Sequence, residues 1–119
     1  MAIKFYYDEE DDILSIYDSL NPPKETVEFS EFLNIDINKD RGIVGLEIFY
    51  ASEFFGALNN KVDKEFLKEL GNISIECKNY RNTWFLVLVI NKNNESPIKI
   101  PMPPFRKSEY KSPLIASCE

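Results

Sequence analysis

The chain contains no histidine. That removes Ser-His-Asp and Cys-His catalysis, and histidine proton shuttling near neutral pH. Cysteine is scarce too: Cys77 and Cys118 stand far apart with no metal-ligand neighbour. A structural zinc site needs about four Cys or His ligands, so that class is excluded, and the pair reads as free thiols of a reducing compartment. No apolar run is long enough to span a bilayer; the longest, Trp84 to Ile90, is strand-sized. Met1-Ala2-Ile3-Lys4-Phe5 lacks the basic start and apolar core of a signal peptide. A cytoplasmic location with no membrane partner is the expectation. Cations are outnumbered, 14 against 20 carboxylates, for a net charge of −6. A nucleic-acid binder should show a basic face, so no nucleic acid is expected.

What is present suits one folded domain. A hydrophobic fraction of 44% and an aromatic fraction of 13% over 119 residues supply a core that needs no staples. The charge is uneven. Residues 1–36 hold ten carboxylates against Lys4 and Lys24, a balance of −8 that leaves +2 for the remainder. An acidic front lobe suits a basic protein partner better than a polyanion.

Along the chain, strands dominate. Ile3 to Tyr7 and Ile13 to Tyr17 flank the acidic run Asp8 to Asp12 as a hairpin, ended by Asn21-Pro22-Pro23. Glu25 to Phe29 alternates, and a register change near Ser30-Glu31 marks a bulge. Leu33, Ile35 and Ile37 share one face while Asn34, Asp36 and Asn38 share the other, the mark of a sheet with one wet face. Lys39-Asp40-Arg41-Gly42 supplies a turn, and Ile43 to Phe49 returns as a strand. Ser52 is placed to cap a short helix carrying Phe54, Phe55 and Leu58, and Asp63 to cap a second over 63–70 with Gly71 at its C′ position. Ile73 to Cys77, Thr83 to Ile90 and Ile98 to Ile100 follow as strands. Asn79-Tyr80-Arg81-Asn82 reads as a turn, the middle strand as central and covered on both faces, and the last as an edge limited by Pro97 and Pro101.

The expected fold is therefore α+β: a largely antiparallel sheet of about seven strands in two meanders, with two short helices between them. Residues 1–58 form the first meander with a helix. Residues 59–104 add a helix and three strands packed as one domain with it, and 105–119 form an extended or mobile tail.

Tyr7-Asp8, Asp12, Leu14-Ser15-Ile16, Val27 and the alternating Leu33 to Ile37 lead up to Gly42-Ile43-Val44-Gly45-Leu46-Glu47-Ile48 and Ala51-Ser52. This front half, over about residues 3–58, resembles the domain of unknown function 2283. It departs at the turn, where the family usually has Gly then Arg and this chain has Asp40-Arg41-Gly42. The back half is similar to an extension seen with this domain in some archaeal-type sequences. The resemblance implies no activity; members of the family are regarded as candidate antitoxins beside small basic toxins, an association and not a mechanism, and its defining residues are mostly turn and core positions.

Several groups carry chemistry on paper. Asp8-Glu9-Glu10-Asp11-Asp12 is the candidate partner-binding run, and Asp8, Asp12 and Glu47 are the candidate metal ligands. The run lacks the alternate-position ligands, central Gly and terminal Glu of an EF-hand, and a solvated hairpin turn with Asp8 and Asp12 accepting from turn amides explains it better. Glu47, between apolar neighbours, is an acid or base if it faces inward; a solvent-facing or cross-strand-paired residue is the favoured reading. Gly42 and Gly45 make no phosphate loop, because strand residues follow instead of a helix; Gly45 marks a close approach to the sheet. Trp84, Tyr80, Phe85 and Arg81 suggest base stacking less than core packing. Pro101-Met102-Pro103-Pro104-Phe105 fits a docking polyproline segment and a strand terminator equally. No catalytic residue and no cofactor are assigned. The favoured function is a non-enzymatic protein-interaction module using the acidic lobe. The alternatives are a metal-dependent hydrolase or nuclease using the front carboxylates, and a structural homodimer pairing edges such as Ile98 to Ile100.

Overall fold

The computed structural model describes residues 3–38, 42–81 and 83–106. The front half forms five strands: β1 (Ile3–Asp8), β2 (Ile13–Asp18), β3 (Glu25–Ser30), β4 (Leu33–Asn38) and β5 (Gly42–Phe49). Helices α1 (Ala51–Leu58) and α2 (Lys64–Lys68) follow. The back half then adds β6 (Leu70–Tyr80), β7 (Thr83–Lys92), β8 (Ile98–Pro101) and the two-residue β9 (Phe105–Arg106). The α+β class, the antiparallel pairing and the two short helices are as the sequence predicts. The strands divide into two sheets, ordered β1-β2-β5-β4-β3 in front and β6-β7-β8 behind, with β9 also on β7.

In the front sheet β3, β4 and β5 run as a meander, and β5 then lies against β2, so the last strand to be made is the central one. The chain reaches β3 from β2 by crossing the end of the sheet, and local bonds fasten that crossing. Asp18, buried, accepts from the Leu20 amide at 2.9 Å and from Asn21 Nδ2 at 2.8 Å. Asn38 Nδ2 donates to the Pro22 carbonyl at 2.8 Å, and the Lys24 amide to the Ile37 carbonyl at 2.8 Å.

Period-2 alternation sends Leu14 and Ile16, Leu46 and Ile48, and Leu33 and Ile35 to one face. These join Ile73, Leu86, Leu88, Ile90 and Ile100 of the back sheet, with Ala51, Phe55, Val62, Phe66 and Leu67, in a single buried cluster. Each such aliphatic side chain contributes about 1.5–3 kcal/mol by leaving water. A register shift after Asp36 returns Ile43 to the core, in line with Ile37, although strict alternation along β5 would turn it outward.

Several boundaries differ from expectation. The bulge lies between Glu28 and Ser30, a step before the predicted site. Strand β6 continues through Asn79 and Tyr80 because its ladder with β7 stays in register to Thr83, and Arg81 follows it at φ 52°. Gly71 does not end α2: the C-cap is Glu69, and Gly71 sits in a β6 bulge so close to Asn93 that a Cβ would collide with it. Strand β7 is central but buried on one face; Leu86, Leu88 and Ile90 point inward while Phe85 is 43% exposed. Tyr80 is exposed as well, with the Arg81 guanidinium 5.4 Å over its ring, so neither aromatic packs in the core. Residues 105 and 106 pair with β7 as a short strand. The side chains of Cys77 and Trp84, the Asp40-Arg41 turn, Cys118 and the remainder of the tail lie outside the described residues.

Candidate functional site

The acidic run resolves into residues with different work. Asp8 Oδ1 accepts from the amides of Glu10 and Asp11 at 3.0 and 3.2 Å, which closes the β1–β2 turn. Asp12 instead reaches 40 residues along the chain. Its carbonyl accepts from the Ala51 amide at 2.9 Å, and its carboxylate from the Ser52 amide at 3.1 Å and the Ser52 hydroxyl at 2.7 Å. The Tyr7 hydroxyl completes the clasp at 2.5 Å.

Ser52 is thus not the N-cap of α1. That position is Tyr50, in the left-handed region at φ 52° and making no side-chain cap bond. Asp12, itself at φ 55°, satisfies the first two helical amides from outside the helix and sets a negative charge at its positive end. Burial pushes the Asp12 carboxyl up, but the hydrogen bonds from Tyr7 and Ser52, aided by the charge of Lys64, outweigh it and hold the group below its ordinary value. Burial, the bond to Asp12 and the surrounding carboxylates raise the Tyr7 hydroxyl well above the usual tyrosine value.

Glu47 lies on the other face of the sheet, between Ser15 of β2 and Asn34 of β4, as a solvent-side carboxylate half-buried among polar neighbours. Burial first, and then the charge of Asp36, raise it. Asp36 itself accepts from Thr26 Oγ1 at 2.7 Å and lies across Gly45, the close approach the sequence suggested. The candidate metal ligands Asp8, Asp12 and Glu47 are therefore not brought together. Among the described residues, no group of three Asp, Glu, His or Cys is placed to hold a metal ion.

Of the run, Glu9 pairs with Lys68 at 3.4 Å, which leaves Glu10 and Asp11 at the open surface. Asp11 meets partners the sequence did not assign to it. Together with Glu28 and Glu31 it rims a cavity of about 520 Å³ whose apolar walls are Ile13, Phe49 and Tyr50. Tyr50 is fixed there by edge-on packing against Phe32, ring centroids 5.9 Å apart. A second cavity of about 430 Å³ lies farther along the same face, between Tyr17, Pro22, Pro23, Asp36 and Glu47.

The strand registers make these one surface. Tyr6, Ser15, Glu47, Asn34 and Glu28 form one row across the sheet, and Lys4, Tyr17, Gly45, Asp36 and Thr26 the next. Lys4 is the one cation among the described strand residues of these rows. Tyr6, Tyr17 and Tyr50 are 64%, 45% and 56% exposed. Carboxylates beside apolar floors and exposed tyrosines can accept hydrogen bonds from lysine or arginine and cover their aliphatic stems. The sequence signal for Glu28 was there in the alternation of Glu25 to Phe29; nothing local linked it to Asp11.

No curated protein and no solved structure matches the chain. Residues 4–52 match the model of a family described as a protein of unknown function (DUF2283). The matched segment spans β1 to β5 and ends on Ser52, so Tyr7, Asp12 and Ser52 all lie within it. The match supports the family resemblance of the front sheet, and the family's description carries no activity.

Proposed function

We propose that the protein is a cytoplasmic, non-enzymatic interaction module whose outer front face receives a basic protein. The supporting observation is the cavity rimmed by Asp11, Glu28 and Glu31 over Ile13, Phe49 and Tyr50. Exposed tyrosines around carboxylates are the composition of a binding surface, because tyrosine covers area at low entropic cost. The raised Glu47 adds to this: its charge is disfavoured in the free protein, and a cation set beside it relieves that cost. Of the run Asp8 to Asp12, the partner meets Glu10 and Asp11, since Asp8 and Asp12 are spent inside the fold. Neutralisation of a small basic toxin is the specific, antitoxin-like form of this reading.

Titration of isotope-labelled protein with oligoarginine tests it. Amide shifts are expected to centre on Ile13, Asn34, Phe49 and Tyr50, to shrink with added salt, and to weaken about tenfold in the D11N/E28Q/E31Q triple variant. Shifts scattered over the whole surface, or untouched by the triple variant, overturn the assignment.

A further inference from the structure

The proline-rich segment that ends β8 also builds a wall. Met102 donates its amide to the Leu86 carbonyl at 2.9 Å and buries its side chain, so Pro101 and Pro103 are held on either side of a fixed point. Facing them is the outer side of α1, where Phe54 and Leu58 stand beside Glu53 and Ala57. Phe32, from the turn between β3 and β4, completes the enclosure. These pieces come from both halves of the chain and bound a cavity of about 610 Å³. Small-molecule sites have volumes of roughly 300–1,000 Å³ and mostly apolar walls with a few polar groups.

The walls are preformed. Proline has little backbone freedom, because its ring fixes φ. Phe32 and Phe54 pack with ring centroids 6.3 Å apart, and Phe54 meets Phe55 edge-on at 5.5 Å. Met102 is the adaptable piece, since a thioether makes favourable contacts with ring edges. Two rings, two prolines and a thioether suit a flat aromatic body. Glu53 is the one charged side chain of the lining, and no cation pairs with it among the described residues. We propose that this cavity is a binding site for a small aromatic cation. Its ring lies among Phe32, Phe54 and Met102, and its basic nitrogen donates to the Glu53 carboxylate. The site shares no residue with the two outer-face cavities and does not depend on the basic partner proposed above.

The test uses the full chain, isotope-labelled, and three probes with one aromatic body: naphthylmethylamine, the neutral naphthylmethanol and the anionic naphthoate. Saturable amide shifts are expected at Phe54, Ala57, Leu58 and Met102, with the amine bound about tenfold more tightly than the alcohol and the carboxylate weakest. Glu53→Gln should bring the amine down to the alcohol and leave the alcohol unchanged. Ala57→Leu, at an exposed position where leucine is a good helix former, should fill the cavity and weaken all three probes. Amine shifts centred instead on Ile13, Phe49 and Tyr50 place the cation on the acidic outer face and overturn the site. Equal binding of the three probes, or no saturable shift at millimolar probe, overturns it as well. Contacts to the Phe54 ring from a second copy, or from residues beyond Arg106, in the protein without probe give the cavity to another occupant and overturn the assignment to a small cation.

Discussion

Asp12 accepts from the Tyr7 hydroxyl and from both donors of Ser52, so Asp12→Ala leaves α1 uncapped and a half-buried hydroxyl without its acceptor. The expected loss is about 2–3 kcal/mol, read from the urea midpoint. Asp12→Asn should lose less, because asparagine tolerates the left-handed backbone that Asp12 adopts at φ 55° and keeps one carbonyl acceptor. The pH dependence has a defined sign. A carboxyl held below its unfolded value of 3.8 stabilises the fold fully above that value, and the contribution disappears as pH falls through the lower folded one. The acid limb of wild-type stability should therefore be steeper than that of Asp12→Asn below about pH 4; parallel limbs would contradict the clasp. The local part of this loop was legible, since Asp8 does accept from turn amides. The clasp was not, because its partners are separated by 40 residues and no local pattern connects them.

At the level of single elements, β5 depends on two residues that suit it poorly as a strand. Glycine is weak in a strand interior, yet a Cβ on Gly45 would lie 2.9 Å from Asp36 Oδ2 and 3.1 Å from the Ile16 carbonyl. The backbone oxygen cannot swing away, so Gly45→Ala is expected to cost about 1–3 kcal/mol in chemical denaturation. Glu47 works in the opposite sense. Its raised carboxyl is most favourable when protonated, so its charge weakens the fold as pH rises above the unfolded value of 4.5. Glu47→Gln should melt higher than wild type at pH 7, with the gap closing as pH falls below 4.5, and a lower melting point at pH 7 would refute this. Strands β1 to β5 and the Asp63 cap, whose carboxylate accepts from the Phe66 amide at 2.8 Å, were readable from period and cap chemistry. The ends of α2 and β6 were not. Gly71 looks like a helix stop in sequence, and only its approach to Asn93 reveals the bulge.

Over the whole molecule, one apolar cluster joins the two sheets, which predicts one cooperative transition. Amides of Leu46 in the front sheet and Leu88 in the back sheet should exchange with the same global free energy, and a gap of more than about 1 kcal/mol would mean that the halves open separately. The acidic front half was plain in composition, but its assembly into one rimmed face depends on the strand order, which alternation alone does not determine. That order has a consequence for synthesis. A ribosome delivers chain at about 5–20 residues per second, from the N-terminus onward. The β1–β2 and β3–β4 hairpins emerge first, each with an apolar side and an unfilled flank, because the strand that belongs between them is made last. Until β5 is made the two hairpins lack the strand that joins them, and Asp12 lacks Ser52 over the same interval. A chaperone that met the chain during that wait would find it before the spine of its sheet is in place.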